Sequence, residues 1–73
     1  MTTIYVVTFE PYHDNSEILG AFTSLRAAHG LVEAELERSR KERPENLDAF
    51  AITHCDGTNV ERVLWVDCDE GPA

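Results

Sequence analysis

The sequence predicts an α+β fold: a two-layer sandwich of order β-β-α-β-β, with a mainly antiparallel four-stranded sheet and one helix (about residues 24–43) packed on one face. Three observations predict it. β-branched and aromatic residues gather in four short runs. Between the second and third runs, apolar residues recur every three or four positions. Turn-forming residues separate the runs within each pair, Asp14-Asn15-Ser16 in the first and Asp56-Gly57 in the second.

The first run, residues 2–9 (TTIYVVTF), reads as a strand. Ile4 and Val6 point to one face, and Tyr5, Val7 and Phe9 to the other. Apolar character on both faces predicts an interior strand with cover on each side. Pro11 ends it, because proline has no N–H to give a ladder. Residues 17–23 (EILGAFT) form a second strand returning beside the first.

Thr23 or Ser24 then caps a helix. Leu25, Ala28, Val32 and Leu36 make its apolar stripe, with Leu31 and His29 on the flanks. Arg26, Glu33, Glu37 and Lys41 share the opposite side, and Glu37 and Lys41 have a favourable i,i+4 spacing. Arg38, Arg40, Lys41 and Arg43 complement the dipole in the last turns, and Pro44 stops the helix. Residues 49–55 (AFAITHC) are the third strand and residues 60–68 (VERVLWVDC) the fourth, with VLWV apolar enough to be interior. The tail from Asp69 to Ala73 is acidic and expected to fray. The first strand is expected beside one strand of the second hairpin, at the centre of the sheet. Periodicity does not choose which.

A chain of 73 residues makes a single domain with one small core. Such a core seldom supplies more than about 3–5 kcal/mol of net stability, so a disulfide, a metal or association commonly adds to it. Cys55 sits beside the second hairpin turn and Cys68 far along the return strand, roughly 30 Å away at ~3.3 Å per residue. That is beyond disulfide reach, and two free thiols fit a reducing compartment. MTTIYVVTF has no basic n-region, and no apolar run approaches the ~20 residues of a membrane span. A cytoplasmic location is expected.

Fourteen acidic residues against six basic give a net charge of −8. Phosphates of nucleic acid and anionic membrane surfaces should repel such a chain, so neither is expected as a direct partner. A charged partner should be basic. Acidity also serves solubility.

Tyr12-His13-Asp14 resembles a proton-transfer trio on paper. A working dyad also needs a nucleophile, an oxyanion donor pair or a metal, and adjacent loop residues tend to point apart. The stretch reads as a connector. His54-Cys55-Asp56 and Asp67-Cys68-Asp69 hold metal-ligand types but lack the C-x-x-C or H-x-x-x-H spacing that puts two ligands on one scaffold. No phosphate-binding glycine loop and no G-x-S-x-G elbow occurs. His29 reads as a boundary residue. Catalytic residues, metal and cofactor are therefore not expected, and neither is an enzyme.

The helix can cover one face of a four-stranded sheet and no more. The other face, carrying Tyr5, Val7 and Phe9 or else Ile4 and Val6, together with Trp65 from the fourth strand, is the expected partner-binding surface. Its acidic rim would be Glu10, Asp14 and Glu17 near the first hairpin and Asp67, Asp69 and Glu70 near the last strand. Ala27, Gly30 and Ala34 form a strip of small residues on the outward side of the helix, where alanine needs no special role.

The cadence IYVVTF…EILGAFTSLRAAHGLVE, residues 4–33, resembles short α+β domains of bacterial and phage proteins. It consists of a strand, a polar loop, an ILGxFxS strand end and an Ala-rich helix. The resemblance implies a fold of this size and a source in mobile or phage genomes, and it brings no catalytic residues. The expected function is a small acidic protein-interaction module, a phage-type inhibitor or adaptor of a basic, nucleic-acid-binding host protein, similar in manner to DNA mimics and anti-CRISPR proteins. Its alternatives are a homodimeric structural or small-ligand domain, or a dimeric enzyme with a junction site built from His29, Tyr12 and a thiol.

Overall fold

A computed structural model describes residues 3–12, 14–42 and 47–68 of the chain. Its elements are β1 (Thr3–Glu10), β2 (Glu17–Phe22), α1 (Leu25–Glu42), β3 (Ala49–Asp56) and β4 (Asn59–Asp67). The β-β-α-β-β order expected from the sequence is the order observed. The sheet runs β2-β1-β3-β4, and every neighbouring pair is antiparallel. β1 and β3 are thus the central strands, which settles the pairing that periodicity left open. The fold is a two-layer α+β sandwich.

Ser24 caps the helix: its Oγ accepts the N–H of Ala27 at 3.3 Å, and its carbonyl accepts the N–H of Ala28. Glu37 and Lys41 pair at 3.3 Å and Glu35 and Arg38 at 2.6 Å on the helix surface. The Glu37–Lys41 pair is exposed at both ends and is worth about 0.5 kcal/mol, whereas Glu35 is mostly covered. The 18 residues of α1 extend roughly 27 Å at 1.5 Å per residue. They lie over β2, β1 and β3 and do not reach β4.

The core forms between that helix and one face of the sheet. Ala28, Val32 and Leu36 descend onto Val7, Phe50 and Ile52, with Tyr5, Phe9, Leu19, Phe22, Leu31, Leu64 and Val66 around them. Val7 and Ile52 are directly opposite across the central strands and are both fully buried. Burial on that scale contributes about 1.5–3 kcal/mol per side chain. Cys68, just past β4, is buried at the rim of this core. Its N–H donates to the Asp48 carbonyl, and its own carbonyl accepts from Arg40 Nε at 3.2 Å. The end of the helix is thereby tied to the end of the sheet. Cys55 lies at the other end of the β3–β4 hairpin, opposite Val60, and no disulfide joins it to Cys68.

Three sequence expectations need correction. Tyr5, Val7 and Phe9 are on the face the helix covers and not on the open one: Val7 is 0% exposed, and Tyr5 and Phe9 are half-buried against the core. The open face carries the other row, Ile4 and Val6, and β1 has helical cover on one side only. VLWV is not an interior strand, because β4 is an edge strand. A register shift between Ile52 and Thr53 leaves Val63 as an extra residue, so Leu64 and Val66 face the core while Val63 and Trp65 remain exposed. The second hairpin turn is also one residue later than Asp56-Gly57. Asp56 pairs with Asn59, and the loop is Gly57-Thr58. Gly57 has φ 61 while no other described residue but glycine has positive φ, the φ pattern of a type II′ turn.

Candidate functional site

The face of the sheet away from the helix is built by the even-numbered row of β1 and its cross-strand partners. Ile4, Val6, Thr8 and Glu10 stand opposite Cys55, Thr53, Ala51 and Ala49 of β3, and these in turn face Val60, Arg62, Trp65 and Asp67 of β4. β2 adds Ile18 and Ala21. A second register shift, between Val7 and Thr8, makes Leu19 the extra residue of β2. It turns inward to the core while Ile18 stays 70% exposed. Val60 is 70% exposed and Trp65 44%. Exposed Ile18, Ile4, Val60 and Trp65 therefore stand on this face, with Thr8, Thr53 and Arg62 among them, and the helix lies on the other side.

At one end the face dips into a groove of about 420 Å³. Glu10, Pro11, Tyr12, Leu47, Ala49, Trp65 and Asp67 line it. Its floor is Ala49: β3 alternates small and large residues, with Phe50 and Ile52 filling the core and Ala49 on the opposite side. Trp65 and Asp67 follow one another along β4 on the same face, and the indole Nε1–H donates to Asp67 Oδ1 at 3.0 Å. Glu10 accepts from Ser16 Oγ. The Arg62 guanidinium lies 4.6 Å from the centre of the Trp65 ring, on the side toward the hairpin turn.

The charge is unevenly distributed. α1 carries four basic residues (Arg26, Arg38, Arg40, Lys41) and four acidic ones (Glu33, Glu35, Glu37, Glu42), so it is neutral. The entire formal charge of −8 resides in the strands, loops and termini. Among the described residues, Arg62 is the only arginine or lysine outside the helix.

Comparison with protein-family models, with curated proteins and with solved structures found no match. The residues themselves carry the reading.

Of the rim carboxylates expected from the sequence, Glu10 and Asp67 come together at the groove. Glu17 does not join them. It pairs with Phe9 and therefore has the parity of the covered face, where it lines a smaller cavity with Leu19, Glu35 and Arg38. Asp14 lies in the first hairpin loop and accepts the N–H of Asn15 at 2.8 Å, which is turn chemistry. Asp69 and Glu70 lie outside the described residues, as does His13 of the Tyr12-His13-Asp14 stretch. His29 is half-buried on the helix, on the covered side, whereas Tyr12 lines the groove on the open side. One chain does not bring them together. Among the described residues, no group of three or more His, Cys, Asp or Glu is arranged to hold a metal ion. No described helix is long and apolar enough to cross a membrane.

Asp48 and the Ala49 floor were missed in the sequence. The alternation Ala-Phe-Ala-Ile at 49–52 was the available signal for the floor, since small residues on one parity of a buried strand leave a depression there. Nothing local marks Asp48, because its partner Tyr12 is 36 positions away.

Proposed function

We propose that this chain is a non-enzymatic protein-binding module that docks a basic protein on the open face of its sheet. The observation that carries this reading is the meeting of that face with the Glu10 and Asp67 carboxylates at one end of it, in a chain whose net charge of −8 lies outside a neutral helix. Apolar contact would supply the affinity and the carboxylates would steer and select a cationic partner.

Magnitudes favour a basic partner over a second copy of the chain. Four strands at ~4.8 Å and about eight residues at ~3.3 Å give a flat area of roughly 14 by 26 Å, under about 400 Å². Even with side-chain relief, that is short of the ~800 Å² per partner of a standard stable interface. Two copies would also bring like charges together, whereas opposite charge compensates for a small contact. A nucleic-acid-binding protein offers Arg and Lys side chains placed for phosphates, and the carboxylates of Glu10 and Asp67 would stand in for those phosphates. In that form the module acts as an inhibitor or adaptor of the phage type.

The test measures binding of the chain to basic DNA-binding proteins from its host, with duplex DNA as competitor, for the unaltered chain and for an Ile4→Ser, Ile18→Ser double variant. Binding that DNA displaces and that the variant loses supports the reading. A chain that sediments as a tight dimer, with both isoleucines buried, would replace this reading with self-association.

A further inference from the structure

We propose that the groove at the Glu10–Asp67 end of the open face seats one arginine side chain of the partner. This rests on the reading of that face as a docking surface for a basic protein, and it names the anchor.

Four features of the groove suit a guanidinium. The volume of about 420 Å³ falls within the range of sites that enclose a small organic group. The floor of Ala49 and the walls of Leu47, Pro11 and Tyr12 are apolar enough for the methylene stem. Two carboxylates enter from opposite sides. Glu10 and Asp67 are both cross-strand neighbours of Ala49, one on β1 and the other on β4, so they are two strands or roughly 10 Å apart at their backbones. Both residues line the groove, so a planar cation seated in it meets a carboxylate from each flank. Finally, Trp65 forms an aromatic wall, and such rings favour arginine over lysine because the guanidinium stacks as well as attracts.

The hydrogen bonds already present prepare this site and do not fill it. Trp65 Nε1–H takes one lone pair of Asp67 Oδ1, and Ser16 takes one of Glu10 Oε1. An ionised carboxylate has about four acceptor positions, so each can still receive an N–H. The indole bond fixes the orientation of Asp67, which reduces what must be ordered on binding. Arg62, which does not line the groove, shows within the same molecule that this indole accepts a guanidinium.

Trp65 is the only tryptophan in the chain and so reports on the groove directly. The experiment titrates the full chain with N-acetyl-arginine amide and with its neutral isostere, N-acetyl-citrulline amide, following Trp65 fluorescence and the indole N–H resonance. The arginine compound should half-saturate at about a tenth of the citrulline concentration or less, the ratio expected of charge-assisted hydrogen bonds. Asp67→Asn and Glu10→Gln should each raise that midpoint several-fold, and Asp14→Asn, outside the groove, should leave it unchanged. Equal responses to the two compounds, or midpoints indifferent to both groove variants, would overturn the proposal. A second titration with a short peptide of alternating Arg and Val separates this proposal from the reading beneath it. Shifts at Ile4, Val6 and Ile18 without Trp65 would keep the docking face and overturn the arginine seat. Shifts at Trp65 alone would keep the seat and overturn the docking face.

Discussion

Asp48 Oδ1 accepts the backbone N–H of Tyr12 at 3.0 Å, and that one bond joins the exit of β1 to the entry of β3 across 36 positions of sequence. The backbone of the same residue does a second job: its carbonyl accepts the N–H of Cys68 at 2.8 Å, just beyond β4. Three strand ends are therefore gathered at Asp48, which is only 8% exposed. Tyr12, held this way, becomes a wall of the groove in place of a loose loop residue.

Replacing Asp48 by alanine should destabilise the chain by about 1–3 kcal/mol, because the Tyr12 N–H loses its acceptor in a part-buried site. Asp48→Asn keeps a carbonyl oxygen there and should lose less. Urea denaturation distinguishes the two: the midpoint should fall for both, further for alanine, with the slope unchanged.

The two faces of the sheet should respond oppositely to truncation. Ile52→Ala removes a fully buried side chain between β1, β4 and the helix, and core truncations of this type cost about 2–5 kcal/mol. That is comparable with all the net stability a core of this size supplies, about 3–5 kcal/mol, so the variant should be largely unfolded at room temperature by circular dichroism. Ile18→Ser, on the open face, should stay within about 0.5 kcal/mol of the unaltered chain. An Ile18→Ser chain as unstable as Ile52→Ala would mean that the open face is not open.

Gly57 should be the least replaceable residue of the second hairpin. At φ 61 it occupies backbone space that a Cβ disfavours, and Gly57→Ala should cost about 1–2 kcal/mol. Thr58, the other loop residue, has no positive φ, and Thr58→Ala should change stability little. Thermal unfolding of the two variants checks the difference. Equal losses would argue against the type II′ geometry.

Element order was legible because it depends on local signals. Ser24 before the stripe of Ala28, Val32 and Leu36, and a glycine between two apolar runs, each act within a few residues. What the sequence did not reveal depends on what happens across the sheet. Nothing local distinguishes the Ile4/Val6 row from the Tyr5/Val7/Phe9 row, as both are apolar; the helix selected the bulkier one. VLWV was misread because a bulge puts an extra residue into β4 and turns an alternating pattern into an apparent continuous run. Glu10 and Asp67 were legible as carboxylates near strand ends, but only the β1–β3–β4 register puts both beside Ala49. Glu17, with the same chemistry, was put on the other face by parity.

Arg62 gives the docking model its sharpest sign. It is the one described cation on the open face, and a basic partner should meet it as a repulsive neighbour of Trp65. Arg62→Gln should therefore strengthen binding of a peptide of alternating Arg and Val by a few-fold at low ionic strength. The gain should shrink as salt rises and nearly vanish at about 1 M, where the Debye length is only ~3 Å. Stability should fall slightly, by about 0.5–1 kcal/mol, for the lost contact with the Trp65 ring. Calorimetric titration at several salt concentrations reads both the gain and its decay. An Arg62→Gln chain that binds the peptide no better at low salt would show that the partner's charge does not approach Trp65, and the Glu10 and Asp67 carboxylates would then be solubilising surface alone.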